Sequence, residues 1–141
     1  MKKLLLSICT ASLLCNPLQA EDLTRYVKPL VGTDGYGNVY PGAQIPFGGI
    51  QISPDTDDRF YDAASGYKYN HTSIQGFSLT HLSGTGIPDL GDFLFVPGVG
   101  EAKLVPGTRE NPDEGYRSRY SHNREWASPN YYAVELEDYG V

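Results

Sequence analysis

The chain has 141 residues and a formal net charge of −6 at pH 7, and its 11 lysines and arginines form no basic cluster. A protein that follows nucleic-acid phosphates needs a concentrated basic surface, so this charge balance excludes a nucleic-acid binder. The length fits one domain, and no internal repeat or low-complexity stretch divides it.

Residues 1–20 have the organisation of a secretory signal peptide. Lys2 and Lys3 precede an apolar run that ends near the small residue Ala20, which is the order of basic, apolar and cleavable regions that exported proteins use. The run is too short and too interrupted to span a membrane. We therefore expect cleavage after Ala20, a periplasmic or secreted location, and no membrane association of the mature chain.

Cleavage would also change the chemistry of the remaining chain. It removes both cysteines, Cys9 and Cys15, so no disulfide can form and stability must come from packing. It leaves 9 basic and 17 acidic residues, a formal charge of −8. This acidity favours solubility and is compatible with a divalent cation.

The mature chain opens with a short helix, which is predicted over residues 22–30. The apolar spacing from Leu23 to Leu30 fits one helical face, Asp22 can cap the amino end, and Pro29 closes the helix.

Beyond this helix the apolar residues alternate with a period of two, which is typical of strands. In one such stretch Phe77, Leu79 and His81 share a face opposite Ser78 and Thr80. All 16 glycines follow the signal segment and supply frequent turns. The pattern predicts an all-β, antiparallel β-sandwich, with strands over residues 49–53, 65–70, 77–81, 92–96, 101–105, 116–121 and 131–137.

The strongest predicted strand, residues 131–137, lies close to the end of the chain. It leads into a turn over residues 137–140, and Val141 alone follows. A hairpin with one arm is an unusual domain boundary. We therefore expect residues 21–141 to be an incomplete amino-terminal sandwich, truncated before its natural end.

Common catalytic motifs are absent. Gly84-Thr85-Gly86 lacks the third glycine and the following helix of a phosphate loop, and Ser83 lacks the preceding glycine of a nucleophile elbow. Two carboxylates as close in sequence as Asp89 and Asp92 can hardly flank a sugar from opposite sides, so they are better interpreted as turn-fixing residues.

Metal-site patterns are also incomplete. Asp55, Asp57 and Asp58 begin like a calcium loop but lack its glycine and its glutamate, which favours a solvated acidic turn. The three histidines have no local zinc spacing and no mature cysteine beside them. No metal site is expected in this chain.

Three longer segments resemble a known family in order and spacing. They are PLVGTDGYGNVYPGAQIPFGGIQISPDT, SGYKYNHTSIQGFSLTHLSGTGIPDLGDFLFVP and YRSRYSHNREWASPNYYAVELEDYGV. Together they resemble the amino-terminal domain of glycoside hydrolase family 92, the exo-acting α-mannosidases. The chain departs from the family pattern at Leu79 and at Ile87.

This resemblance implies a division of labour. Family members are calcium-dependent inverting enzymes in which a β-sandwich packs on a larger helical (α/α)6 domain. The general acid, the general base and the principal calcium ligands belong to that second domain, which lies outside this sequence. The resemblance thus implies a non-catalytic domain with no cofactor of its own, whose partners are the catalytic domain and a mannose-containing glycan.

The loop after residue 80 is the candidate substrate-binding segment. Its glycines let the backbone turn tightly, and by resemblance it helps to shape the mannose pocket through His81, Ser83, Thr85 and Asp89. Two other functions remain open for the same residues. The chain could be a free-standing carbohydrate-binding sandwich, or a module that docks on a protein partner.

We predict that the mature protein begins at Glu21, because the basic start, the apolar run and the cysteine-free remainder all indicate export. Mass spectrometry of the amino terminus of the exported protein checks this. A protein that keeps Met1 and stays in the cytoplasm would contradict the assigned location.

Overall fold

The computed structural model describes residues 21–57, 61–84, 86–88 and 91–141. The predicted signal segment, residues 1–20, and three residues singled out above, Asp58, Thr85 and Asp89, lie outside the described residues.

Seven short antiparallel strands lie in the described part of the chain. They are β1 (Ser53–Asp55), β2 (Ser73–Ile74), β3 (Gly76–Ser78), β4 (Leu94–Phe95), β5 (Ser118–Arg119), β6 (Glu125–Ser128) and β7 (Tyr131–Val134). Strand β3 is the middle of the sheet β1-β3-β4, whereas β2 pairs with β5 and β6 with β7. Single 3-10 turns occur at Thr24–Tyr26, Tyr61–Ala63, Pro112–Glu114 and His122–Arg124. The predicted all-β antiparallel class is confirmed.

The helix predicted over residues 22–30 is only the single turn Thr24–Tyr26. The N-cap position is occupied by Leu23, which makes no side-chain cap, so the predicted capping by Asp22 is displaced. Asp22 lies one residue earlier, and one of its carboxylate oxygens accepts from the backbone nitrogen of Thr24 at 3.0 Å and from its hydroxyl at 2.6 Å. The predicted apolar face, however, stays exposed at Leu23 and Val27. A short helix becomes longer only when tertiary contacts bury its apolar face, and Leu23 and Val27 have no such burial.

Several strand predictions are displaced or wrong. The first strand lies at Ser53–Asp55 instead of 49–53, and residues 65–70 and 101–105 form no strand. The strand predicted over 77–81 ends at Ser78. Because the chain bends there, the Ser78 hydroxyl comes within 3.0 Å of the His81 Nε2 atom, so the predicted opposite facing of these two residues is wrong.

Strand β6 is not anticipated by the alternation pattern. It pairs with β7 from Glu125↔Val134 to Ser128↔Tyr131, which leaves a two-residue loop. Asn130 in that loop has φ of 59°, a conformation that asparagine tolerates better than most residues. The loop therefore joins β7, which lies within the strongest predicted strand, to its partner strand β6.

The apolar core is small. It consists of Tyr67, Ile74, Tyr120 and Leu136, with Leu30, Phe77, Val134 and Tyr139 packed against it. Fully burying one such aliphatic side chain stabilises a fold by about 1.5–3 kcal/mol. Many of the other described buried side chains are polar, so hydrogen-bonded networks hold much of the interior.

One such network surrounds the buried carboxylate of Glu125. Its Oε1 atom accepts from the hydroxyls of Tyr67 at 2.8 Å and Tyr132 at 2.6 Å, and its Oε2 atom lies 2.6 Å from the His122 Nδ1 atom. Burial, more than any other cause, raises the pKa values of both tyrosines well above the ordinary value. Both phenols therefore stay protonated and serve as donors to the carboxylate.

A second network crosses the interior through Arg117, which immediately precedes β5. Its guanidinium donates to the backbone oxygen of Thr56 at 2.6 Å and to the side-chain oxygen of Gln75 at 3.0 Å. Since Thr56 follows β1 and Gln75 lies between β2 and β3, one buried side chain ties these strand ends together.

The turn predicted over residues 137–140 is present. The Gly140 nitrogen donates to the Leu136 oxygen at 2.9 Å, and the Leu136 nitrogen donates to the Val141 oxygen at 2.7 Å. Gly140 has φ of 65°, which glycine adopts without steric cost.

The described residues contain no helix with the length and apolar character needed to cross a membrane.

Replacing Tyr132 by phenylalanine should lower the free energy of unfolding by about 1.5–3 kcal/mol, because the buried Glu125 carboxylate loses one donor. Urea denaturation of the purified protein measures this. The matched control is Tyr131→Phe, whose side chain is exposed, and it should change stability by less than about 0.5 kcal/mol. Equal losses in the two variants would contradict a structural role for the Glu125 network.

Candidate functional site

The candidate site is built around the buried carboxylate of Asp55 at the end of β1. Its Oδ2 atom accepts from the backbone nitrogen of Ser78 at 2.8 Å, and its Oδ1 atom lies 2.9 Å from the His81 Nε2 atom. The side chains of Asp55 and His81 are only 5% and 3% exposed. A carboxylate at this depth is tolerated only when it is paired and hydrogen-bonded, so the two contacts explain why the fold accepts it.

The imidazole of His81 is held from both sides. Its Nδ1 atom lies 2.7 Å from the backbone oxygen of Gln51, and because a carbonyl oxygen only accepts, Nδ1 carries a proton. Its Nε2 atom faces both Asp55 and the hydroxyl of Ser78. The ring is therefore fixed in orientation by contacts to β1, β3 and the segment before β1.

Serine, histidine and aspartate meet here, but not as a hydrolytic triad. In a triad the serine and the carboxylate contact opposite ring nitrogens, so that the base can take the serine proton while the acid orients it. Here Ser78 and Asp55 share one nitrogen, and the backbone of Gln51 occupies the other. All three side chains are also buried. The arrangement positions a loop and does not activate a nucleophile.

Gly66 packs directly against this pair. It has φ of +86°, and a Cβ atom placed on it would lie 2.2 Å from the Asp55 Oδ1 atom and 3.0 Å from the His81 Cδ2 atom. Only glycine allows both the backbone conformation and this close approach.

Tyr40 supports the loop that follows His81. Its ring lies 5.1 Å from the His81 ring, tilted by 38°. Its hydroxyl donates to the Gln44 Oε1 atom at 2.5 Å and accepts from Ser83. Burial raises the pKa of Tyr40, and the bond to Ser83 offsets part of that rise. The backbone nitrogen of Gly84 donates to the oxygen of Asn38 at 2.6 Å. The segment 38–40 thus anchors residues 81–84.

These elements line a pocket of about 280 Å³. Its polar wall includes Asp55, Gln75, Ser78, Thr80 and His81, and its apolar wall includes Pro88 and Leu94. A concave surface with a few fixed polar groups suits a small polar ligand. Because Asp55 is already engaged by His81 and Ser78, the described wall offers shape and hydrogen bonds, and no pair of free carboxylates for acid and base chemistry.

The structure separates the predicted substrate-binding residues. His81 lies in the pocket wall, whereas Ser83 is exposed and lies outside it, bonded to Tyr40. Thr85 and Asp89 lie outside the described residues. Asp92, interpreted above as turn-fixing, accepts from the Thr80 hydroxyl at 2.8 Å, as such a role requires.

The solvated acidic turn expected at residues 55–58 is wrong for its two described aspartates. Asp55 is buried in the site, and Asp57 is completely buried with one carboxylate oxygen 3.1 Å from the Arg109 Nε atom. The error arises because consecutive hydrophilic residues are typical of a surface turn, whereas these two side chains contact residues that are distant in sequence. Within the described residues no three His, Cys, Asp or Glu side chains form a group that could hold a metal ion.

Sequence reasoning missed the groups that orient His81. These are Asp55, the backbone of Gln51, Tyr40 and Gly66. Asp55 and Gly66 lie 26 and 15 positions before His81 in the printed sequence, so no local spacing links them. The only available signal was the resemblance itself, whose first two segments contain all four residues.

Comparison with known proteins places this geometry in context. Residues 26–141 match the model of the glycosyl hydrolase family 92 N-terminal domain. A solved family 92 α-mannosidase from Bacteroides thetaiotaomicron, in complex with mannoimidazole, is 84% identical with a TM-score of 0.83 over 85% of this chain. An inverting mannosidase of the same family and organism, 24% identical over 84% of this chain, has a TM-score of 0.55 and supports the fold alone.

A curated relative is described as an uncharacterized secreted glycosidase of Arthroderma benhamiae. It is 29% identical over 136 residues, or 94% of this chain. The chain spans only 17% of that relative, 16% of the first solved α-mannosidase and 16% of the second. The relatives are thus about six times longer than the segment they share with this chain.

The fold and the comparisons define a front β-domain of the kind found in glycoside hydrolases, which confirms the predicted sandwich class. The chain belongs to glycoside hydrolase family 92, and it corresponds to the N-terminal domain of that family.

Replacing Gly66 by alanine should destabilise the protein more than the same change at Gly35. Both glycines have positive φ, but a Cβ at Gly35 meets nothing within 4 Å, so Gly35→Ala reports only the backbone strain of about 1–2 kcal/mol. At Gly66 the methyl group also displaces Asp55 or His81. Chemical denaturation of both variants measures the difference in the free energy of unfolding. Equal losses would show that Asp55 and His81 can move aside without destabilising the protein.

Proposed function

We propose that residues 21–141 form the non-catalytic front domain of an exo-acting, inverting α-mannosidase that removes mannose from glycans. The single observation that carries this proposal is family membership along residues 26–141. The 84% identity to an α-mannosidase solved in complex with mannoimidazole supports it. The activity of the whole enzyme is inferred for a longer polypeptide, because the chain spans 16% of that relative.

The role of this domain is to shape the substrate pocket. The described wall carries fixed polar groups around His81, and its one buried carboxylate is engaged by two partners. Inverting hydrolysis needs an acid and a base on opposite faces of the sugar, roughly 6.5–9.5 Å apart. We assign both groups, and the calcium ligands, to the part of the enzyme outside residues 21–141.

Within this role the predicted contact residues act differently. His81 is buried, so it acts by holding the wall, whereas Ser83 is exposed and available to a sugar hydroxyl. Thr85 and Asp89 remain proposed contacts on the same loop. Export to the periplasm or beyond accords with a relative described as secreted and with an extracellular glycan substrate.

Residues 21–141 alone should release no mannose from an α-mannobioside in the presence of calcium, whereas the longer protein should release it and lose activity when calcium is chelated. Chromatographic quantification of free mannose provides the measurement. Mannose release by the short protein would refute the assignment of the acid and the base to the part of the enzyme outside residues 21–141. Binding of the sugar by the short protein, with a reading frame that stops after Val141, would support a free-standing carbohydrate-binding module instead.

In the longer protein, His81→Ala should reduce kcat/KM for the mannobioside by about 10–100-fold, because small displacements of a pocket wall are costly to catalysis. Asp89→Ala should act in the same direction. Asp113→Ala is the surface control, since its side chain is 73% exposed, and it should leave kcat/KM unchanged. Asp57 is unsuitable as a control because it is buried against Arg109.

The kinetic comparison is made on variants with matched thermal unfolding, because His81 also stabilises the fold. If His81→Ala and Asp89→Ala retain full activity, residues 81–89 form only a structural corner.

A further inference from the structure

A tight loop near the start of the described chain contains an aspartate followed directly by glycine. The loop covers residues 32–37, and we call it the glycine loop because glycine occupies three of its six positions. Asp34 is the only aspartate or asparagine in the sequence that precedes a glycine. Asp34 and Gly35 are both exposed, whereas Thr33 before them is buried. The pair is therefore accessible to water, and the chain next to it is anchored in the interior.

The carboxyl group of Asp34 lies against the following peptide bond. The Gly35 nitrogen donates to the Asp34 Oδ1 atom at 2.8 Å. The Cγ atom is one bond from that oxygen, so this contact also brings Cγ close to the Gly35 nitrogen. These are the two atoms that join when an aspartyl residue closes to a five-membered cyclic imide. Reactions are fastest where the reacting atoms are held close together before they react.

Gly35 leaves its nitrogen unshielded. The residue has φ of +58°, and a Cβ atom placed on it would meet nothing within 4 Å. The space beside the nitrogen is therefore open. Closure of an imide changes the backbone angles at both residues, and glycine accommodates such changes with little steric cost. The fold thus gives room to the approach of the two atoms and to the ring that they would form.

Contacts on both sides of Asp34 fix the geometry of the glycine loop. The Tyr69 nitrogen donates to the Thr33 oxygen at 3.0 Å, and the ammonium group of the buried residue Lys68 donates to the Gly35 oxygen. The residues before and after Asp34 are therefore both tied to the segment 68–69. The carboxyl group and the nitrogen stay near each other because neither end of the pair can swing away.

We propose that Asp34 is a site of spontaneous covalent modification, at which the chain rearranges to isoaspartate through a cyclic imide. In the first step the Gly35 nitrogen forms a bond to the Asp34 Cγ atom. The carboxyl group, in its protonated form, loses its hydroxyl, which leaves as water with the proton of the Gly35 nitrogen.

The second step consumes one water molecule and restores the original mass. If water attacks the Cγ atom, the bond from Cγ to the Gly35 nitrogen breaks and aspartate is recovered. If water attacks the main-chain carbonyl carbon of Asp34, the original peptide bond breaks instead. The chain then continues through the side-chain carbon, which is the isoaspartate product. Neither step needs an oxidant, a reductant or any reactant other than water.

The isoaspartate product also affects the interior of the protein. It adds one carbon to the backbone of a loop that is fixed at both ends, so the Gly35 oxygen is displaced from the Lys68 ammonium. A buried ammonium that loses its acceptor is costly. The Lys68 nitrogen donates to the hydroxyl of the buried residue Thr56 at 2.9 Å. A change at the exposed loop therefore reaches the hydrogen bonds beside β1.

The test follows position 34 of the longer protein in H₂¹⁸O and uses no sugar, so a failure of the proposed hydrolytic function does not affect it. Opening of the imide incorporates one labelled oxygen, which liquid chromatography with mass spectrometry detects in the peptide. The internal control is Asp113, which is 73% exposed and has both carboxylate oxygens bound by Arg119. In the native protein, label should enter at Asp34 at least about 10-fold faster than at Asp113. The labelled peptide should separate into an aspartate and an isoaspartate form.

Two results of this experiment would overturn the proposal. Equal labelling of Asp34 and Asp113 in the native protein would show that the loop geometry does not favour the reaction. Labelling of Asp34 in urea but not in the native protein would show that the fold protects the pair.

Gly35→Ala is the matched variant, because it places a methyl group beside the attacking nitrogen. Label should enter at position 34 of this variant at least about 10-fold more slowly than in the parent. An unchanged rate would show that the nitrogen does not attack as proposed, and the imide route would be wrong.

A second variant tests the link to Lys68. Asp34→Glu keeps the carboxylate but would have to close a six-membered ring, so its Tm should stay constant during a long incubation. The Tm of the parent should fall as isoaspartate accumulates. A parent that is modified at position 34 without any change in Tm would contradict the displacement of the Gly35 oxygen from Lys68.

Discussion

The contact between Asp55 and His81 is the constraint on which the described site depends. A carboxylate with 5% exposure needs compensating donors, and Asp55 obtains them from His81 and from the Ser78 backbone. These contacts determine where the chain bends after β3 and where the pocket wall lies. Gly66 follows from the same constraint, because any side chain there would occupy the space of the pair.

Buried polar groups replace much of the apolar core that a domain of this size normally has. Glu125 with its tyrosine donors and Arg117 with its carbonyl and amide partners each connect segments distant in sequence. Such networks are sensitive to geometry, since removing one partner leaves a buried group unsatisfied. Many of the remaining apolar side chains, Phe47 among them, lie at the surface.

We propose a non-catalytic role for this domain, and this distribution of polar and apolar groups is compatible with it. A rigid, hydrogen-bonded wall is sufficient to shape a pocket and to orient a substrate. Glycoside hydrolysis also needs an acid and a base with different protonation states. Membership of family 92 identifies the enzyme class to which such a wall belongs. The geometry around His81 indicates how the wall is held, which family membership alone does not reveal.

The sequence by itself determined the all-β class, the family and the final turn, because these depend on local propensity or on long ordered motifs. It also directed attention to His81. Only the tertiary structure decided that Asp57 is buried, that Ser78 and His81 lie on the same side, and that β6 pairs with β7. The physical reason is that burial, ion pairing and strand partnership are contacts between distant residues, and a period-two pattern contains no information about which distant residue supplies the partner.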